Sequence, residues 1–199
     1  MTARFAQQMA LVGLVATTVF ASGCGDLSQG RSPAQVVIMS LEVASGATPG
    51  ELSGTLQSDV ITNGSILNDI AEVTMELRLK DPGGSGLGAN PSELNSVTIT
   101  RYRVSYVRTD GQNAQGVQVP YTFDSGLTFT VPADGAVTAE FQIVRHTAKA
   151  EAPLAALATN GSIISTIVEV TFYGRDLAGN DVVASAKVGI DFGNFADPN

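Results

Sequence analysis

The sequence predicts an all-β fold, and three observations carry that prediction. The first is a pair of long alternating runs across residues 162–192. Ile164, Val168, Val170 and Phe172 share one phase of the first run, and Val182, Ala184, Ala186, Val188, Ile190 and Phe192 share one phase of the second. The second is the segment between them, Gly174-Arg-Asp-Leu-Ala-Gly-Asn180, rich in residues that accept turn dihedrals. Two such runs joined by such a turn form an antiparallel hairpin with one buried face. The third is the stretch 71–80. There Ala71, Val73, Met75, Leu77 and Leu79 alternate with Glu72, Thr74, Glu76, Arg78 and Lys80, one core face against one wet face.

Taken in order, the chain opens on a short positive region at Arg4, an apolar run from Met9 to Phe20, and then Ala21-Ser22-Gly23-Cys24. The apolar run is too short to span a bilayer comfortably. Small residues ahead of a cysteine, directly after such a run, resemble the lipobox of bacterial lipoproteins. That resemblance implies a cleaved signal peptide over 1–23, acylation of Cys24 and membrane anchoring by lipid. Ala21 stands where the pattern most often has leucine. Gly25, rather than aspartate, follows the cysteine, which by the same resemblance leans towards the outer membrane of a double-membrane cell. Residues 24–34 then comprise the lipidated cysteine and a flexible tether, and 35–199 the folded domain.

Within that domain, residues 35–43 alternate with Val37, Met39, Leu41 and Val43 on one face. A Gly/Pro loop follows, then a short strand over 55–62 and a tight turn at Asn63-Gly64. The stretch from Asp81 to Glu93 has no hydrophobic period and predicts a long exposed loop, either a contact surface or simply mobile. In 97–108 the phase slips, Val97 and Ile99 being odd and Tyr102, Val104 and Tyr106 even, so a bulge or a crossing between sheets is expected. Arg101 and Arg103 then share a face. Short strands are expected at 117–123 and 127–131 around an Asp124-Ser-Gly126 turn, and another over 136–144 with Val137, Ala139, Phe141 and Ile143 inward. The alanine-rich stretch 147–158 reads as a one- to two-turn crossover helix limited by Pro153 and stopped by Asn160-Gly161.

There is also an internal echo. Residues 62–75 align with 159–172 at an offset of 97, nine of fourteen positions being identical. Equivalent strands in opposite sheets of a pseudo-symmetric sandwich would explain it, as would repeated turn chemistry. Eight or nine strands separated by Gly/Asn/Pro turns fit a β-sandwich or barrel. The turn Arg175-Asp-Leu-Ala-Gly-Asn-Asp181 resembles the D-x-A-G-N turn of bacterial immunoglobulin-like domains, where it joins the last two strands. The resemblance implies an immunoglobulin-like antiparallel β-sandwich of about 8–9 strands with one short crossover helix. The intersheet cysteine pair and the tryptophan of immunoglobulin domains are absent, although bacterial members generally lack the cysteines as well.

The chemistry is sparse. Eleven basic side chains face 19 acidic ones, a net charge of −8. Cleavage of the leader removes Arg4 alone, leaving 10 against 19. Such a balance argues against nonspecific nucleic-acid binding and against electrostatic docking on anionic lipid. Cys24 is the only cysteine, so an internal disulfide is excluded, and His146 is the only histidine. No G-x-S-x-G elbow or phosphate-binding loop occurs, and nothing singles out a pair of glycosidase carboxylates. Calcium needs only oxygens, and Asp176, Asn180 and Asp181 are the weak candidates for it. Tyr102, Tyr106 and Tyr121, if exposed together, would favour glycan binding. The expectation is therefore a lipid-anchored extracytoplasmic module without enzymatic activity, catalytic residues or cofactor. It would act structurally or through an envelope protein or glycan partner. The alternative is a ligand-binding module for glycan or calcium.

Overall fold

The computed structural model describes residues 30–81 and 91–195. The leader, Cys24 and the 82–90 part of the expected loop lie outside the described residues. Two antiparallel sheets pack face to face. β1 (Ala34–Ala44), β3 (Asp69–Leu79) and β6 (Ala136–Val144) form one, in the order β1-β3-β6. β2 (Thr55–Asp59), β8 (Asp181–Gly193), β7 (Ile164–Asp176), β4 (Val97–Val107) and β5 (Phe123–Val131) form the other, in the order β2-β8-β7-β4-β5. The described residues thus form an all-β sandwich of eight strands. One pairing breaks the antiparallel rule: β2 runs parallel to β8, from Thr55↔Gly189 to Asp59↔Gly193.

The alternating runs become strands because one phase of each faces the other sheet. Ala71, Val73, Met75 and Leu77 of β3 are buried against Val168, Val170 and Phe172 of β7 and Val188, Ile190 and Phe192 of β8, within one apolar cluster. Aromatic rings tie its middle together. Tyr102 meets Phe141 edge-on at 4.8 Å, and Phe141 meets Phe172 at 5.4 Å and 89°. Such T-shaped pairs are the geometry that ring quadrupoles favour.

The phase slip in 97–108 is a bulge. The register of β4 shifts between Ile99 and Arg101 against both neighbours, so Val97 and Ile99, then Tyr102, Val104 and Tyr106, all point inward. β1 contains a second bulge, which its sequence does not announce. Its register shifts between Ile38 and Ser40, so Ala34, Val36 and Ile38 face the core before the bulge and Leu41 and Val43 after it. Met39, expected inward, is instead 54% exposed. β1 also begins inside the expected tether, Ser32 and Ala34 being buried.

A further difference concerns 117–131. There is one continuous strand, Phe123–Val131, and Asp124-Ser-Gly126 lies within it rather than forming a turn. Asp124 sits opposite Arg103 and Gly126 opposite Arg101, so cross-strand pairing holds the segment extended. The crossover is split in two, α1 (His146–Lys149) and a 3-10 helix (Leu154–Thr159), with Pro153 at the start of the second piece. The strands of the internal echo do lie in opposite sheets, β3 central in one and β7 between β4 and β8 in the other. Their surroundings do not repeat, however. Asn63 and Gly64 form a turn with φ of 48° and 77°, whereas Asn160 is extended at φ −133°.

Candidate functional site

The β4 bulge determines what the outer face of the five-stranded sheet presents. By shifting the phase after Ile99, it turns Arg101 and Arg103 outward on a strand whose residues 97 and 99 are buried. Cross-strand rows then follow from the register. One runs Thr130, Thr98, Arg175, Asp181; the next Gly126, Arg101, Tyr173, Val183; the third Asp124, Arg103, Thr171, Ser185. The Arg101 guanidinium lies 4.1 Å from the Tyr173 ring centroid, a cation–π stack. Arg103 holds Asp124 with two nitrogens, Nη2 donating to Oδ2 at 2.9 Å, and Arg101 Nη1 donates to Oδ1 at 3.1 Å. Arg175 Nε donates to Asp181 Oδ1 at 2.7 Å while its side chain remains 72% exposed.

These rows border a groove of about 460 Å³, lined among others by Thr98, Thr100, Arg101, Tyr173, Arg175 and Val183. A smaller hollow of about 180 Å³ includes Asp181, Val182 and Val183 and runs on to Gly30 and Lys80. The hydrogen bond from Arg103 holds the Asp124 carboxyl below the usual carboxylate range, against a smaller opposing effect of burial, with Arg103 and Arg101 charges adding to it. These three rows therefore hold three arginines against two aspartates on a chain whose net charge is −8, and the next row of the same face sets Glu169 opposite Lys187. It offers planar N–H forks, an aromatic surface and threonine hydroxyls, which suit carboxylates, phosphates and sugars.

The residues singled out from the sequence are scattered. Tyr102 and Tyr106 are buried, and their hydroxyls donate across the core to the backbone oxygens of Gln142 (3.0 Å) and Ile143 (2.7 Å). Burial is the main cause that pushes the Tyr106 phenol well above its ordinary value. Only Tyr121 of the three is exposed, so the tyrosine cluster that would favour glycan does not form. In the last turn, both carboxylate oxygens of Asp176 are engaged by Asn180, through its backbone N–H and its Nδ2, each at 2.8 Å. Asp181 faces Arg175 instead. Asp176 and Asn180 thus close the turn, while Asp181 is held in an ion pair with Arg175. Burial opposes charge on Asp176, but the hydrogen bonds from Asn180, Ser32 and the Ala178 backbone together outweigh it and hold the carboxyl below the usual range. His146 is exposed at the start of α1, where its backbone N–H and Nδ1 both meet Asn68 Oδ1.

A buried polar knot at the other end of the sandwich had no sequence signal. Lys149 Nζ donates to Asp69 Oδ1 (2.8 Å) and to the Asp59 carbonyl (2.9 Å). Ser58 Oγ donates to Asp69 Oδ2 (2.6 Å) and the Gly46 N–H to Oδ1 (3.1 Å). Thr62 Oγ1 and the Phe195 N–H donate to the two Asp59 carboxylate oxygens. Ser58, Asp69 and Lys149 are sealed from solvent, and the serine faces the aspartate rather than the lysine, so this is not an arrangement for attack on a substrate carbonyl. Lys149 lies within an alanine-rich stretch, 80 positions from Asp69, so only the fold joins them.

Comparison with protein-family models finds no match, and no curated protein is significantly similar to the chain. Among the described residues, no helix is long and apolar enough to cross a membrane.

Proposed function

We propose that the protein is a lipid-anchored, extracytoplasmic interaction module of the cell envelope, held to the membrane through Cys24 and without enzymatic activity. Its contact surface is the outer face of the five-stranded sheet. The observation that carries this reading is the groove between Arg101, stacked on Tyr173, and the exposed Arg175. The signal-peptide pattern ending at Cys24 supports the anchor. The strand order supports an immunoglobulin-like sandwich, with a three-stranded sheet facing one that carries the last hairpin and a parallel edge strand.

The hollow beside the groove reaches Gly30, six residues after Cys24. Six extended residues span at most about 22 Å. The groove therefore works close to the bilayer, and its partner is an envelope component presenting acidic groups near the membrane surface. A second reading, an acidic glycan in the same groove, is favoured by the Arg101–Tyr173 platform.

Crosslinking on intact cells, followed by mass spectrometry, tests the proposal. One reproducible protein partner is expected with the wild-type chain, lost with Arg101→Glu/Arg175→Glu and with the mislocalised Cys24→Ala chain. A partner retained by the double arginine variant would remove the groove from the account. No protein partner, with the chain still at the envelope, would transfer the groove to the glycan reading.

A further inference from the structure

We propose that Lys149 and Asp69 join through an intramolecular amide bond, so that the mature sandwich carries a covalent cross-link between α1 and β3. The reacting groups are already in contact, with Nζ 2.8 Å from Oδ1. Their side chains are 1% and 0% exposed. The carboxyl group is held from both sides. Ser58 Oγ donates to Oδ2 at 2.6 Å and the Gly46 N–H donates to Oδ1 at 3.1 Å. Gly46 has no space for a side chain, its Cβ position being filled by Asn68 O and Leu67 Cβ. The Asp59 carbonyl takes a second Nζ proton at 2.9 Å and fixes the direction of the amine. Nucleophile and electrophile are thus held as in an intramolecular reaction, where positioning alone supplies a large effective concentration.

The step balances within the pair. A proton passes along the Nζ–Oδ1 hydrogen bond, giving the neutral amine and neutral acid that condense. Nζ attacks Cγ while the Ser58 hydroxyl stabilises the negative charge that develops on Oδ2. Oδ1 leaves as water, taking its second proton from Nζ. One C–N bond forms, one C–O bond breaks, nothing is oxidised or reduced, and no cofactor enters. Oδ2 becomes the amide oxygen and keeps the Ser58 hydrogen bond. The product replaces a buried ion pair with a neutral link that ties the crossover to the first residue of the central strand β3.

Peptide mapping decides it. The full-length chain, purified from the membrane, is unfolded and digested with trypsin, and the peptides are weighed. The expected product is a branched species joining residues 32–78 to residues 146–175, lighter by one water than the two chains, with no cleavage after Lys149. A Lys149→Arg chain keeps the charge but cannot form this bond, and loses the branched species completely. Recovery of the wild-type peptides separately and at full mass, with cleavage after Lys149, would overturn the proposal. So would water loss confined to a single unbranched peptide.

Discussion

Lys149 shows how much a single side chain can carry without leaving a trace in the sequence. It lies within an alanine-rich stretch that reads as helix, and its partner Asp69 opens a strand in the other half of the chain. Joined, as an ion pair or as the amide that follows from it, the two are satisfied; with Lys149 removed, Asp69 is left in the core without its partner. Lys149→Met should therefore destabilise the fold by about 3–5 kcal/mol, measured by urea unfolding. Lys149→Met/Asp69→Leu should recover part of that loss, because no charge is left alone. Asp176 carries a different expectation. Its carboxyl is held below the usual range in the folded chain, so it contributes stability above the unfolded value of about 4 and loses it as pH falls through the folded value. The thermal midpoint should stay level from neutrality to about pH 5 and then decline as pH falls below about 4. Asp176→Asn should lower the midpoint at neutral pH and make the acid decline shallower. Asp176 was visible in the sequence as a turn carboxylate, but its partner was not. The same letters, Asp176, Asn180 and Asp181, fit a cation site and a closed turn equally well until the hydrogen bonds are placed.

At the scale of the element, alternation was legible wherever it ran unbroken, as in β3, β7 and β8. It failed where the chain inserts a residue. The β4 bulge was readable because inward residues change parity between Ile99 and Tyr102. The β1 bulge was hidden because apolar residues at 36–39 fill both phases, so sequence alone offers two equally apolar faces. The Asp124-Ser-Gly126 segment misled for another reason: turn-forming residues stay extended when the neighbouring strand supplies two arginines to hold the aspartate. The parallel β2–β8 pairing leaves no local signature, since register with a distant strand is a property of packing. Gly174 gives this scale its prediction. A Cβ there would lie 2.5 Å from Thr98 O and 2.9 Å from Ile99 Cδ1, beside the β4 bulge. Gly174→Ala should cost about 1–3 kcal/mol, read as a drop in the thermal unfolding midpoint, and should disturb the Arg101–Tyr173 stack one residue away.

For the whole molecule, composition argues for an acidic, soluble surface, and the fold concentrates arginines on one face of it. That concentration could not be read from the chain. Arg101 and Arg103 were expected to share a face, but Arg175 joins them only through the β4–β7 register. The most direct measurement places a photo-activated crosslinking residue at Val183, 47% exposed in the groove, and separately at Met39, exposed on the other sheet, in the full-length chain in intact cells. One specific adduct is expected from position 183 and none from position 39. Adducts from position 39 alone, or the same set from both positions, would contradict the assignment of the arginine face as the contact surface.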